Sequence, residues 1–105
     1  MRQLTDDLGM EPEPFIERFF QDVIKQQSLI HANSVAGGHI ETLIHASHRL
    51  KSSSRTIGAE RLGRLAADLE QLVQQEGNSG CTSEHLVALD REVMLLREAL
   101  HVRSG

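Results

Sequence analysis

The chain has 105 residues, of which 25% are charged and 39% hydrophobic, which is the size and balance of one folded domain over residues 1–105. With 15 acidic and 11 basic residues the formal net charge is -4, so the chain lacks the basic surface that nucleic-acid binding requires. Cys81 is the only cysteine, the first ten residues lack the apolar stretch of a signal peptide, and no apolar run approaches the roughly 20 residues of a membrane span. We therefore expect a cytoplasmic protein with neither a nucleic acid nor a membrane as its partner.

Apolar residues recur at helical spacing along the chain, and strand-like alternation is not visible. A short helix is expected from Leu4 to Leu8, because Gly9 is suited to end it. A longer helix is predicted to begin near Pro12, whose missing N–H costs nothing in a first turn, and to end in the segment 33–38, which contains two glycines. The apolar face of this helix is predicted to consist of Ile16, Phe19, Val23 and Ile30.

Three further helices are predicted after this turn. The first runs from about His39 to Ile57 and ends because Gly58 accepts the left-handed conformation of a C′ position. The second runs from about Glu60 to Glu76, and Thr82 or Ser83 can cap the third. The apolar stripe of this last helix is Leu86, Leu89, Val93, Leu96 and Leu100. The pattern predicts an all-α fold, an antiparallel up-down-up-down four-helix bundle with a short extra N-terminal helix.

The segment from residue 45 to residue 59 carries the chemistry. At about 100° per residue, His48 points about 120° away from the centre of its helix's apolar face, so we expect its ring to be partly in water. Neutral imidazole is a nucleophile, and a nearby cation can neutralise phosphoryl oxygens. The exposed edge around His48 is predicted to carry His45, Lys51, Ser52 and Arg55, which we expect to contact the phosphoryl group or the partner that brings it. This arrangement predicts that His48 accepts a phosphoryl group.

The predicted bundle has no nucleotide-binding loop, no metal cage and no base beside the nucleophile. We therefore expect no formation of phosphohistidine from ATP by the chain alone, and expect a partner to supply the transfer chemistry. Basic residues surround the nucleophile, which suits an acidic partner pocket. Phe20 and Ile24, four residues apart at the edge of the first long helix's stripe, are a candidate apolar docking patch.

His48-Arg49-Leu50-Lys51, followed by small residues and then by Gly58-Ala59, resembles the signature of the histidine-containing phosphotransfer (HPt) family. The resemblance implies a monomeric phosphorelay carrier in which His48 is the acceptor, through Nε2, and Lys51 contacts the phosphate. It implies response-regulator receiver domains, and also a hybrid sensor histidine kinase, as partners. The receiver would bring Mg²⁺, and the carrier would need no cofactor of its own. Ser52 stands where many members have glycine, so receiver preference or the lifetime of the phosphorylated state is expected to differ.

Two other functions remain open from the sequence. One is a helical adaptor that binds receiver or kinase domains without phosphotransfer. The other is an enzyme or metal protein that uses His45 and His48, which lie three residues apart on one face. The metal interpretation lacks further ligands, since Cys81 is far along the chain, so we expect no metal site.

Overall fold

The computed structural model describes residues 13–35 and 37–104, and within these ranges the chain forms four α-helices and no strand. The helices are α1 (Glu13–Asn33), α2 (Ile40–Thr56), α3 (Glu60–Glu76) and α4 (Ser83–Ser104), and a single 3-10 turn over residues 77–80 follows α3. The predicted all-α four-helix bundle is confirmed. The short helix expected over residues 4–8 lies outside the described residues.

The four helices pack in a ring. Helix α2 makes its main contacts with α1 and α3, and α4 also packs against α1 and α3. Helices α2 and α4 therefore occupy opposite corners of the bundle. None of the described helices is long and apolar enough to cross a membrane.

The ends of α2 and α4 follow from their sequences. Gly58 has a φ of 81°, and the N–H groups of Gly58 and Ala59 donate to the carbonyls of Arg55 and Ser54, which is the Schellman pattern of helix termination. At the start of α4, the hydroxyl oxygen of Thr82 accepts the N–H of His85 at 3.4 Å. Thr82 is therefore the N-cap that the sequence predicted as one of two candidates.

The core lies along the bundle axis and is aliphatic. Helix α2 contributes small side chains as well as large ones, since Ser47 and Ser54 are fully buried beside Leu50. The side chain of Ser54 lies next to Gly63 of α3, so small residues meet small residues and the two helices approach closely. The core consists of Phe20, Val23, Ile30, Leu43, Ala46, Leu50, Leu62, Ala66, Leu69, Val73, Cys81, Leu89 and Val93.

The predicted docking patch on α1 is wrong. Phe20 is only 9% exposed and belongs to the core, and Ile24 is half-buried and packs against that core. The buried face of α1 thus extends further toward Phe20 than predicted, and the guanidinium of Arg97 in α4 lies over the Phe20 ring, 5.7 Å from its centre. A single helix's periodicity does not reveal this cover from another helix.

An asparagine pair fixes the turn between α1 and α2. The amide nitrogen of Asn78, in the 3-10 turn, donates to the carbonyls of Asn33 at 2.7 Å and of Gly38 at 3.2 Å. The Oδ1 of Asn33 accepts the N–H of His39 at 3.0 Å. The 3-10 turn after α3 therefore holds the connection between α1 and α2 in place.

Candidate functional site: a carboxylate-bound histidine on α2

His48 lies on the solvent side of α2. Helix α2 buries Leu43, Ser47 and Leu50 against the bundle, and this fixes the direction of the residues between them. The side chain of His48 is 56% exposed, which agrees with the direction predicted from the helical wheel. The scaffold therefore presents this imidazole where another protein can reach it.

A carboxylate from α3 binds the ring of His48. The Oε2 atom of Glu70 lies 3.1 Å from His48 Nδ1, and the close packing of α2 and α3 brings Glu70 within reach. Its other oxygen, Oε1, accepts a hydrogen bond from Lys51 Nζ at 3.0 Å. Glu70 thus joins the histidine and the lysine, which lie one helical turn apart, into one cluster that we call the His48 cluster (His48, Lys51 and Glu70).

The charge of Glu70 determines which nitrogen of His48 carries the proton. Burial acts to raise the pKa of Glu70, but the hydrogen bond and charge of Lys51, followed by the charge and hydrogen bond of His48, outweigh burial and lower this pKa below its usual value. Glu70 is therefore a carboxylate at neutral pH, and a carboxylate only accepts hydrogen bonds. It follows that Nδ1 of His48 carries a hydrogen, so that in the neutral ring Nε2 holds the free lone pair.

Lys51 supplies a cation beside this imidazole. Its side chain is 23% exposed, against 18% for Glu70, so the ion pair is largely shielded from water and less screened than a fully exposed pair. An ammonium group on a flexible stem can exchange a carboxylate for a phosphoryl oxygen without moving the helix. The cluster therefore combines a nucleophilic nitrogen, a group that orients it and a positive charge.

The other predicted site residues lie on the same edge of α2 but outside the cluster. His45, Ser52 and Arg55 are all exposed. Within the described part of the chain, no hydrogen bond or ion pair joins their side chains to the His48 cluster. Their roles stay predictions.

Neighbouring polar residues of α2 face α1 instead. Arg49 and Ser53 both reach Asp22, at 3.2 Å and 2.6 Å, so Arg49 points away from the His48 cluster. Burial raises the pKa of Asp22, but the hydrogen bonds from Ser53, Gln26 and Arg49 overcome that effect and lower it. This second cluster ties α2 to α1 and carries no free nucleophile.

Sequence reasoning missed Glu70, and the expectation of no base beside the nucleophile is wrong. The sequence gives little indication of this contact. Glu70 follows the core residue Leu69, and its position is that of an ordinary solvated carboxylate on the flank of α3. Only the packing of α3 on α2 places it against His48. In the described residues no group of three or more His, Cys, Asp or Glu side chains is arranged to hold a metal ion.

A helical bundle that presents an oriented imidazole to solvent, with a cation one turn further on, defines the class of histidine phosphotransfer modules. The family model described as Hpt domain matches residues 14–99. The chain therefore belongs to the Hpt domain family, whose members are phosphohistidine carriers in two-component phosphorelays and interact with receiver domains and kinases. No curated protein and no solved structure matches the chain.

Proposed function

We propose that His48 accepts a phosphoryl group from the aspartyl phosphate of one receiver domain and passes it to the aspartate of another. The observation that carries this proposal is the hydrogen bond between Glu70 and Nδ1 of His48. This bond keeps the proton on Nδ1 and leaves Nε2 free, on a side chain that is 56% exposed.

In the forward step the lone pair of Nε2 attacks phosphorus, the N–P bond forms and the bond between phosphorus and the aspartyl oxygen breaks. The receiver's aspartate leaves as a carboxylate. The ring keeps its Nδ1 proton and gains positive character, which the Glu70 carboxylate stabilises. Lys51 then turns from Glu70 toward the phosphoryl oxygens. The reverse sequence, with a second receiver, returns the carrier to its starting state.

We propose that the chain has no autokinase activity of its own. The receiver would bring the Mg²⁺ that neutralises charge in the transition state. Support comes from the charges near the cluster. Arg55 and Arg64 are exposed on α2 and α3, and a basic rim is complementary to the acidic pocket that holds the receiver's metal. The single thiol, that of Cys81, is buried and unpaired, which is compatible with the reducing cytoplasm where we place the reaction.

The test begins with receiver domains of the source genome, each phosphorylated on its aspartate by acetyl phosphate and mixed with the protein. We expect acid-labile, base-stable label on the chain, complete loss of label in His48→Ala, and retained label in His45→Ala. His45 is the matched control, because it is also an exposed histidine of α2.

Three outcomes would contradict the proposal. Binding of a receiver without label would support the adaptor function instead. Label that persists in His48→Ala would place the acceptor elsewhere. Label from ATP and Mg²⁺ with no partner present would show autokinase activity.

Ser52 gives a finer test of receiver preference. Its side chain is exposed one turn after His48, where a docked receiver would lie close. We expect Ser52→Gly to change the transfer rate with some receivers or the lifetime of the phosphorylated state. Equal rates and lifetimes with every receiver would show that this serine has no such role.

A further inference from the structure

Helix α4 carries an apolar stripe that the bundle leaves uncovered. Val87, Met94 and Leu95 are 67%, 55% and 43% exposed, and their spacing places them on one side of the helix. The core-facing residues of α4, such as Leu89 and Val93, lie on the other side. Large apolar side chains grouped in this way usually mark a contact with another molecule.

Two charges lie on the same stripe. Arg91 and Glu98 are both exposed, and neither forms an ion pair with another residue among those described. The remaining charges toward the middle of α4 are used within the bundle. Asp90 pairs with His31, Glu92 pairs with Arg61, and Arg97 covers Phe20.

The order of these residues is self-complementary. Arg91 and Glu98 stand at equal distances on either side of the Met94–Leu95 pair. If two copies of α4 lie antiparallel with a two-fold axis beside that pair, Arg91 of each copy faces Glu98 of the other. An interface of this kind uses the same patch on both subunits, as a closed two-fold dimer requires.

The surface beside the stripe can also receive a partner's side chains. One open cleft of about 400 Å³ includes Val87 and Arg91 in its wall, and another of about 470 Å³ includes Leu95. Both clefts lie between α4 and the start of α3, on either side of the Arg61–Glu92 ion pair.

We propose that the exposed stripe of α4 (Val87, Arg91, Met94, Leu95 and Glu98) is a dimer interface that binds a second copy of this chain in antiparallel orientation. This differs from the monomer expected from the sequence, and it goes beyond the proposed phosphotransfer without depending on it. Because α2 and α4 occupy opposite corners of the bundle, both copies of His48 stay exposed in such a dimer. The stripe is small compared with stable interfaces, so the dimer is weak and depends on concentration.

Sedimentation equilibrium of the full chain tests the interface. Over about 5 μM to about 500 μM, a range chosen for weak interfaces, the mean mass is expected to rise from the monomer's 11.7 kDa toward twice that value. A mass that stays at 11.7 kDa throughout this range would overturn the proposal.

Charge reversal tests the register. Arg91→Glu places two like-charged pairs across the two-fold axis, and so does Glu98→Arg, so each is expected to weaken association at least about 10-fold. The double variant exchanges the charges and is expected to restore association to within about threefold of the original. Glu41→Arg, an exposed reversal on α2, is the matched control and should leave association unchanged.

Circular dichroism would establish that each variant folds, as expected for substitutions at exposed positions. Met94→Gln tests the apolar part of the stripe without reversing a charge, and it should also weaken the dimer. Single reversals without effect, or a double variant that stays as weak as the single ones, would contradict the Arg91–Glu98 pairing and with it the proposed interface.

Discussion

The bundle carries a carboxylate–histidine pair on each of two faces, and the two pairs use different ring nitrogens. Between α2 and α3, Glu70 binds Nδ1 of His48 at 3.1 Å. Between α1 and α4, Asp90 binds Nε2 of His31 at 2.7 Å. The first pair leaves Nε2 free at the outer end of the ring, whereas the second engages that nitrogen. Exposure alone therefore does not distinguish a nucleophile, since the His31 side chain is also 40% exposed.

The third member of each cluster differs as well. Lys51 brings a positive charge to Glu70 at 3.0 Å, while Gln27 brings a neutral amide to Asp90 at 2.8 Å. A cation can move to a phosphoryl group after transfer, and an amide has no charge with which to neutralise it. The contacts of the α2–α3 face therefore suit the proposed phosphotransfer, whereas those of the α1–α4 face link two helices without supplying a cation.

Removing the charge of Glu70 is expected to have the largest effect. Glu70→Gln keeps the size of the side chain but allows an amide N–H to donate to His48 Nδ1, which favours the ring form with its proton on Nε2. We expect the rate of phosphotransfer to fall about 10- to 100-fold, as for other residues that orient a reactive histidine, while circular dichroism should still show a folded helical protein.

Asp90→Asn is the matched control for this variant, because it makes the same change in the other carboxylate–histidine pair. It should transfer at the original rate in a rapid-quench measurement with one phosphorylated receiver. If Glu70→Gln also transferred at the original rate, the Nδ1 hydrogen bond would have no part in catalysis.

Replacing the cation is expected to have the next largest effect. Lys51→Gln leaves His48 oriented but removes the charge that neutralises the phosphoryl oxygens, so transfer should slow about 5- to 10-fold. Arg49→Gln is its control, since Arg49 also carries a positive charge on α2 but binds Asp22. A loss as large in Arg49→Gln as in Lys51→Gln would show that net charge, and not the position of Lys51, supports transfer.

The sequence predicted much of this face, because its information is local to one helix. The period of α2 determines the direction of His48, and the glycine at position 58 determines where α2 ends. Glu70 and Phe20 were not predicted correctly, because each depends on a neighbouring helix. The packing of α3 on α2 decides what Glu70 faces, and the position of α4 decides that Arg97 covers Phe20. Side-chain contacts between helices thus depend on how neighbouring helices are aligned, and the apolar period of one helix does not determine that alignment.

The α1–α4 pair should contribute to stability and not to transfer. In Asp90→Asn the side chain keeps an oxygen but loses its charge, so its hydrogen bonds with His31 and Gln27 weaken. Because Asp90 is 49% exposed, we expect a loss of only about 0.5–1 kcal/mol in the free energy of unfolding, measured by urea denaturation at neutral pH. A loss of several kcal/mol would mean that α4 depends on this pair far more than its exposure indicates.

Lowering the pH should have a smaller effect on stability, and this effect should differ between the two carboxylate–histidine pairs. Burial acts to raise the pKa of Asp90 as it does that of Glu70, but the bonds from His31 and Gln27 prevail and lower it. A carboxyl whose pKa is lower in the folded state stabilises the fold above its unfolded pKa, and this contribution is lost as the pH falls through the folded pKa. The loss therefore begins below about the usual values of 4.5 for Glu and 3.8 for Asp.

Since Glu70 is 18% exposed and Asp90 49% exposed, the interactions of Glu70 are less screened by water and salt. Urea denaturation at several pH values from 6 downward should show the free energy of unfolding decrease as the pH falls. This decrease should be reduced more by Glu70→Gln than by Asp90→Asn. The opposite order would mean that the more exposed pair is the stronger one, and that the shielding of the His48 cluster adds little to its ionic contacts.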